Sequence, residues 1–190
     1  MTTPENDRQM ITAVLANDAQ AFECLVVAHQ KLVWHIIYRM VAHSEDTKDL
    51  SQEVFLRVFR CLEQFRFECA LRTWIGRIAF SLALAHLRAR KLILLADFDP
   101  VFAEQLLEHC ISDSDLEQEQ HDHRLRERML QHIATLTPLY RTVVELFYYD
   151  ELGVDDIAMI MQKPVGTIKN ALFRARQMLR VTLTEAGVLP

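Results

Sequence analysis

The stretch from residue 154 to residue 180 constrains the fold most, because its spacing predicts two short helices joined by a tight turn. In the first helix, apolar residues recur at helical spacing, at Val154, Ile157, Ala158 and Met161. Gln162 and Lys163 break this pattern, and Pro164 fits the first turn of a second helix, where its missing N–H costs nothing. The second helix carries one apolar stripe, made of Ile168, Leu172, Ala175 and Leu179.

The opposite face of the second helix is polar and basic. It carries Asn170, Phe173, Arg174 and Gln177, flanked by Thr167, Lys169, Arg176 and Arg180. Residues 163–180 include five Lys/Arg and no Asp/Glu. A helix that is buried on one side and basic on the other fits a recognition helix in a DNA major groove. The spacing alone leaves a second interpretation open, a helical hairpin whose basic face is simply solvated.

Apolar residues keep helical spacing almost throughout the chain, and only 4 Gly and 5 Pro occur in 190 residues, which predicts an all-α fold. The net charge of −5 argues against indiscriminate binding to polyanions, but charge is unevenly placed. Residues 54–91 hold eight Lys/Arg and two Asp/Glu, whereas residues 97–122 hold nine Asp/Glu and no Lys/Arg. Because local fields decide what a surface attracts, DNA binding by one face is compatible with this composition.

The cysteines and histidines indicate no metal or cofactor chemistry. Cys24, Cys61, Cys69 and Cys110 lack CxxC spacing and sit among apolar residues, which predicts buried, reduced thiols. His121 and His123 could contact a metal, but no further ligands stand at the spacing of a site. We therefore expect no metal and no cofactor. The chain shows neither a signal-peptide pattern nor an uncharged run of about 18 residues, so no membrane insertion is expected.

The periodicity divides the chain into four parts. Residues 1–17 form an N-terminal tail, of which the polar residues 1–10 are expected to fray. Residues 18–95 form a helical bundle, 96–123 an acidic linker, and 124–190 a second helical unit. The linker includes one short predicted helix, at 102–110. The bundle should contain helices at 18–40, 44–65 and 73–90, with Ser44 as the N-cap of the second and a break at 67–70. The predicted buried faces include Phe59, Trp74 and Ala85. A later helix should begin at Thr137-Pro138.

Two stretches of this chain resemble the extracytoplasmic-function (ECF) sigma factors. DTKDLSQEVFLRVFRCLEQFR and LRTWIGRIAFSLALAHLRARK are similar to their region 2, and LTPLYRTVVELFYYDELGVDDIAMIMQKPVGTIKNALFRARQMLR to their region 4. The resemblance spans residues 18–180. It implies two small helical domains, sigma region 2 (18–95) and region 4 (124–190). The protein would be a cytoplasmic, non-enzymatic sigma factor that binds core RNA polymerase and directs promoter recognition and opening in transcription initiation.

The resemblance also implies three sets of site residues and a set of partners. The set that contacts core polymerase, through a coiled coil of its β′ subunit, is Asp49, Gln52, Glu53 and Phe55. The set that meets the −10 element is Phe67, Glu68, Leu71, Arg77, Ser81, His86 and Arg88. The set that meets the −35 element is Thr167, Lys169, Asn170, Arg174 and Arg176. The β subunit, promoter DNA and an anti-sigma factor are the other implied partners. Trp74 could be a base platform, although its spacing favours the core.

Several positions depart from the family's usual residues. Many relatives have Asn at Ser81 and Asp at Ala85, a Ser-Arg pair at Asn170-Ala171, and a turn glycine at Gln162. The departures predict a divergent promoter sequence or affinity. They also keep two alternatives open. One is a helix-turn-helix regulator that acts without core polymerase, and the other is a degenerate relative that binds no DNA.

Overall fold

The computed structural model describes residues 4–90, 132–133 and 135–185, and within these ranges the chain is helical with no strand. The described helices of at least two turns are α1 Pro4–Leu15, α2 Ala19–Val41, α3 Ser44–Cys61, α4 Leu71–Ala89, α5 Pro138–Tyr148, α6 Val154–Met161 and α7 Val165–Glu185. A short 3₁₀ helix, Leu62–Gln64, follows α3. The all-α prediction is confirmed. The predicted acidic linker, with its short helix at 102–110, lies outside the described residues.

The N-terminal segment is the helix Pro4–Leu15, so the prediction that residues 1–10 fray is wrong from Pro4 to Met10. Ile11 and Val14 are buried and belong to the core. The abundance of polar residues hid this amphipathic spacing, because only one narrow side of α1 is apolar. Asp18 then caps α2, since its Oδ1 accepts hydrogen bonds from the N–H groups of Gln20 and Ala21.

Helices α2, α3 and α4 pack against one another and form the first half of the core. Their fully buried apolar residues include Leu25, Val33, Ile36, Val54, Val58, Ile75 and Phe80. The bounds of the three helices agree with the predicted bounds to within a few residues. The N-cap of α3 is His43 rather than the predicted Ser44, because the His43 Nδ1 accepts a hydrogen bond from the N–H of Asp46. Phe59 and Ala85 are exposed, not inward as predicted. Phe59 packs edge-on against Phe22 at the margin of the core.

Helices α5, α6 and α7 form the second unit. Pro138 is the first residue of α5, as predicted, and α6 has the predicted bounds. Gln162 closes α6 in the left-handed region, with φ 53°, and the N–H of Lys163 bonds the carbonyl of Ala158 at 3.0 Å. Pro164 precedes α7 instead of lying inside its first turn. The predicted stripe of α7 is buried.

The two units lie against each other. Helix α6 packs on α4, and α5 packs on α2, so the buried residues of both units form one continuous core. Gly76 in α4 allows the closest approach, because a Cβ there would lie 3.0 Å from Ile160 Cδ1 in α6. Ile160 is fully buried in this contact. The sequence periodicity did not predict which residue Ile160 packs against.

The cysteines only partly follow the prediction. Cys24 is exposed, so the prediction of a buried thiol is wrong there, while Cys61 and Cys69 are half-buried and Cys110 lies outside the described residues. The three described cysteines are free thiols. Burial raises the pKa of the Cys69 thiol, and the nearby charge of Arg77 opposes that rise.

Candidate polymerase and nucleic-acid interfaces

The outer face of α3 brings three of the four predicted polymerase-contact residues together. Asp49 and Gln52 are exposed, and Glu53 is half-buried with Oε1 3.9 Å from the guanidinium of Arg57. Such an exposed pair is worth at most a few tenths of a kcal/mol, so a partner can displace it easily. The fourth residue, Phe55, is 9% exposed and packs in the core. Phe55 therefore packs α3 against the core and does not lie on its outer face.

Leu56 lies in the middle of this face and is 51% exposed. Positions 49, 52, 53 and 56 follow helical spacing, so the acidic and amide groups surround an apolar centre. Sequence reasoning missed Leu56, because an apolar residue beside Phe55 and Val54 is easily assigned to the core. The only available signal was its place on the same helical face as Asp49 and Gln52.

The loop between the 3₁₀ helix and α4 presents Phe67 to solvent. Phe67 is 42% exposed, adopts φ 58°, and lies with its ring centroid 4.8 Å from that of Phe65. Phe65 is buried and in turn contacts Trp74 at 5.3 Å. Trp74 is thus a core residue, as its spacing favoured. Leu71, also predicted to meet the −10 element, is buried and anchors the start of α4.

Helix α1 reaches this loop. The guanidinium carbon of Arg8 lies 4.9 Å from the centroid of the Phe67 ring, in a cation–π contact. Glu68 is exposed beside Phe67. Sequence reasoning missed Arg8, since 59 residues separate it from Phe67 and the N-terminal segment was expected to fray.

The exposed side of α4 forms a stripe that runs from Arg77 through Ser81 and Ala85 to Arg88. The stripe follows helical spacing of three or four residues. Arg77, Ala85 and Arg88 are exposed, while Ser81 is half-buried and its Oγ accepts a 2.9 Å hydrogen bond from Nε2 of Gln162. Both region 2 departures, Ser81 and Ala85, therefore lie on this stripe and leave short side chains there.

His86 lies off that stripe. Its Nε2 is 3.6 Å from Oδ2 of Asp46, to which Arg90 donates a hydrogen bond of 2.7 Å. This cluster ties the last turn of α4 to the first turn of α3. His86 is therefore engaged within the protein instead of pointing free to solvent.

Helix α7 presents the predicted −35 residues on its outer surface. Lys169, Asn170 and Arg176 are exposed, Thr167 and Arg174 are half-buried, and Phe173 in their midst is 58% exposed. The Nε–H of Arg176 donates to Oη of Tyr148 at 2.7 Å. The structure thus brings this predicted set onto one side of one helix.

Ala171 is buried on the inner side of α7, at 5% exposure. Its neighbour Asn170 is exposed. In this fold, the side chain at 171 therefore points to the core and not to the side of α7 that carries Asn170. The absence of a turn glycine at Gln162 is a real departure, since Gln162 does hold the left-handed conformation.

A buried charge lies where the two units meet. Glu145 of α5 forms an ion pair with Nε of Arg39 in α2, and Glu145 is almost fully buried. Desolvation raises the pKa of Glu145 to about 7, although the charges of Arg39 and Arg141 both oppose that rise. Beside this pair, His35 Nδ1 lies 3.2 Å from Oδ1 of Asp150.

The described residues contain neither a metal-binding cluster nor a helix that could span a membrane. No group of three or more His, Cys, Asp or Glu side chains is arranged to hold a metal ion in the parts of the chain that the structure describes. Among the same residues, no helix is both long enough and apolar enough to cross a membrane.

Comparison with known proteins places both units in one family. Sigma-70 region 2 matches residues 25–93, and Sigma-70, region 4 matches residues 126–179. The RNA polymerase sigma-H factor of Pseudomonas aeruginosa is 33% identical, with 93% of each chain covered. The ECF RNA polymerase sigma-E factor of Escherichia coli K12 is 32% identical over 93% of this chain and 94% of the relative.

Two solved structures share the fold. A structure of CnrH in complex with the cytosolic domain of CnrY matches with a TM-score of 0.65 and 18% identity, covering 94% of this chain and 97% of CnrH. The sigma factor RpoE of Bartonella quintana, in complex with the anti-sigma factor NepR, matches with a TM-score of 0.65 and 16% identity. That match covers 87% of this chain and 98% of the other.

The matches to both sigma-70 regions place the chain in the class of DNA-binding sigma factors. The matches show more specifically that the chain belongs to the ECF sigma factor family. It is accordingly a non-enzymatic initiation factor, and core RNA polymerase and promoter DNA are its partners. Membership favours the sigma-factor interpretation over a helix-turn-helix regulator that acts without core polymerase.

Proposed function

We propose that this sigma factor docks on core polymerase through the outer face of α3, which is centred on Leu56. The observation that carries the proposal is the exposed group of Asp49, Gln52 and Leu56, because an apolar centre with an acidic and amide rim complements a basic, partly apolar helix. The family resemblance names that helix as part of the coiled coil of the β′ subunit. Glu53 can join the contact by releasing Arg57.

We also propose that Phe67 stacks on a base of the separated −10 strand. An exposed aromatic ring that rests on the buried ring of Phe65 is a rigid platform, so stacking needs little ordering of the side chain. Arg77 and Arg88 lie on the α4 stripe and would meet backbone phosphates. Stacking and phosphate contacts together would offset the few kcal/mol that unstacking a base costs.

The third part of the proposal is that α7 enters the major groove at the −35 element. Lys169 and Asn170 are exposed near its start, where recognition helices contact bases. Arg174 lies about one turn later and Arg176 almost two turns later, and the side chain of Arg176 is already oriented by Tyr148. An amide suits adenine and a guanidinium suits guanine, so Asn170 and Arg174 are the base-reading candidates.

Regulation by an anti-sigma factor is the last part of the proposal. CnrH and the Bartonella RpoE are both seen in complexes, with CnrY and with the anti-sigma factor NepR respectively. Such a partner would bury exposed apolar side chains such as Phe173 in its interface. The protein would work in the cytoplasm, together with the polymerase.

The test of the proposed function is run-off transcription with purified core polymerase on genomic fragments of the host. Specific transcripts that require this chain would reveal its promoters. The variants Leu56→Ala and Asp49→Ala should each lower the affinity for core polymerase at least tenfold. The first removes the apolar side chain at the centre of the α3 face, and the second removes an acidic side chain from its rim. Matched controls are Leu15→Ala and Glu23→Ala, which remove exposed side chains of the same kind from α1 and α2.

Two results would contradict the proposal. If all four variants bound polymerase equally well, the α3 face would not be the docking surface. If the chain bound duplex DNA but was never retained on core polymerase, the protein would act as a regulator in its own right. Lys169→Ala, with Lys31→Ala as control, tests the α7 surface on the recovered promoters, and only the former should lose −35 recognition.

A further inference from the structure

The outer side of α2 is unusually apolar for a helix face that meets solvent. Val27 is 60% exposed, Trp34 38% and Tyr38 40%, and Cys24 is exposed beside them. A surface helix normally directs its apolar residues inward and its charged residues outward. Helix α2 buries one apolar side against α3 and α4, and it has a second apolar stripe on the opposite side.

The outer stripe follows the alternating spacing of three and four residues with which one helix packs along another. We call this stripe the α2 seam, and it consists of Cys24, Val27, Lys31, Trp34, Tyr38 and Val41. The first five residues are exposed, and the last is half-buried. The seam extends over about 26 Å, or close to five turns, at 1.5 Å per residue. Its spacing indicates a helix as the partner, because a helix presents side chains with the same repeat.

The centre of the seam combines two ordered rings with a cation. Trp34 and Tyr38 stack on each other, with ring centroids 6.2 Å apart and planes inclined by 12°. Because each ring already restricts the other, burying them in a contact costs little side-chain entropy. Lys31, one turn earlier, forms no ion pair with any residue that the structure describes. A tryptophan ring attracts a cation to its face, so the seam carries two complementary groups.

Two copies of the seam complement each other when they pack antiparallel. Lys31 of each copy then lies opposite Trp34 of the other, and Val27 lies opposite Tyr38. At each end of the seam, Cys24 lies opposite Val41. Every contact occurs twice, because such a pair has twofold symmetry. Parallel packing would instead place the two lysine ammonium groups against each other, and like charges in contact disfavour that arrangement.

We infer that α2 is a homodimerisation surface: two copies of this chain associate through an antiparallel pair of α2 helices, with Lys31 of each copy against Trp34 of the other. The seam includes none of the residues assigned to polymerase or DNA, so the inference does not depend on their roles. A single pair of five-turn helices covers less than the roughly 1,200 Å² that stable complexes bury. The dimer is therefore weak, with a dissociation constant on the order of 10–100 μM.

The experiment is analytical ultracentrifugation of the full-length chain from about 1 to about 300 μM, a range that brackets the expected dissociation constant. The wild type should change from the mass of one chain to the mass of two. Lys31→Glu should raise the dissociation constant at least tenfold, because it places a carboxylate against the negative face of the Trp34 ring. Lys48→Glu is the matched control, since it makes the same change of charge at an exposed position of α3, and it should leave the dissociation constant unchanged.

Trp34→Ala tests the aromatic part of the seam. It removes the ring from both copies and should also raise the dissociation constant at least tenfold. Phe173→Ala is its control, because it removes an exposed aromatic side chain from α7 instead. Circular dichroism shows that each variant keeps its helices. At the nanomolar concentrations of polymerase- and DNA-binding assays the chain is monomeric, so substitutions in the seam should leave those affinities unchanged.

Cysteine cross-linking tests the antiparallel register. Val41→Cys places a second thiol opposite Cys24 of the other copy, so oxidised glutathione should link two chains through Cys24 and the introduced thiol. Leu15→Cys is the matched control, because it adds an exposed thiol on α1 that lies outside the seam, and it should give no such link. Mass spectrometry of the digested product identifies the linked residues.

The inference is overturned if the chain stays monomeric over the whole concentration range. It is also overturned if the chain dimerises but Lys31→Glu and Trp34→Ala associate as well as the wild type, because the dimer then uses another surface. A link between the Cys24 residues of two unmodified chains would contradict the antiparallel arrangement. None of these measurements involves polymerase or DNA, so their failure would leave the proposed function untouched.

Discussion

Arg176 of α7 is anchored on Tyr148 of α5. Its Nε–H donates to the tyrosine hydroxyl at 2.7 Å, and its guanidinium carbon lies 5.5 Å from the Tyr148 ring and 5.6 Å from that of Phe147. The two rings meet edge to face, with centroids 5.1 Å apart. A guanidinium held in this way keeps its charge at a fixed place on the helix surface.

The first prediction follows from this anchor. Tyr148→Phe removes the acceptor but keeps the ring, so Arg176 should lose its orientation and promoter affinity should fall three- to tenfold. The salt dependence of binding should stay as it is, because no charge is lost. Arg176→Ala should instead lower the slope of log affinity against log salt by about 0.9 if this residue contacts a phosphate. Equal affinities for Tyr148→Phe and wild type would contradict the positioning role.

The second prediction concerns Ala171. Restoring the family's usual arginine there should not improve DNA binding, because the side chain at 171 is buried and a guanidinium would lose its hydration without a partner. We expect Ala171→Arg to lower the free energy of unfolding by about 3 kcal/mol or more. Denaturation with urea measures this. Asn170→Arg is the matched control on the exposed side, and its stability should lie within about 0.5 kcal/mol of the wild type.

The helices were predictable from sequence because their signals are local. The repeat of apolar residues in α6 and α7, Asp18 before α2, and Pro138 after Thr137 each depend on neighbours within one or two turns. The family motifs added the prediction of which surfaces bind polymerase and DNA. Nothing in these signals required knowledge of a distant residue.

The errors share the opposite property. Phe59, Ala85 and Cys24 were predicted to be buried from their spacing and apolar neighbours, but their exposure depends on which other helices cover them. The contact between Gly76 and Ile160 joins residues 84 positions apart, and the contact between Arg8 and Phe67 joins residues 59 apart. Helical periodicity contains no information about such pairs, so only the folded chain reveals them.

The third prediction tests Arg8. Because its guanidinium covers one face of the Phe67 ring, Arg8 helps to keep that ring outward in its left-handed backbone conformation. Arg8→Ala should weaken binding to a single-stranded −10 oligonucleotide from a recovered promoter by three- to tenfold, and should change overall stability by less than about 1 kcal/mol. Lys31→Ala removes an exposed charge from α2 and serves as the control.

Arg8→Lys separates two explanations of such an effect. Lysine keeps the positive charge but lacks the planar group that lies over the ring. If Arg8 acts by holding Phe67, the lysine variant should resemble alanine; if it acts only as a charge near phosphates, lysine should restore binding. If Arg8→Ala bound the −10 oligonucleotide with wild-type affinity, α1 would make no contribution to the −10 site.

The fourth prediction is a pH dependence that originates at Glu145. The groups facing its carboxylate are Arg39 of α2 and Arg141 of α5, with Asp150 and its partner His35 nearby. Burial raises the pKa of Glu145 from its ordinary value of 4.5 to about 7, so the folded chain binds a proton that the unfolded chain releases. This contribution to stability is complete below pH 4.5 and is lost as the pH rises through 7. The difference corresponds to about 3 kcal/mol at most.

Urea denaturation between pH 5 and pH 8 measures this effect against Glu145→Gln, which has similar shape and cannot titrate. The wild type should lose stability relative to the glutamine variant as the pH rises, with most of the change between pH 5 and 7. Parallel stability curves for wild type and Glu145→Gln would rule out Glu145 as the titrating group.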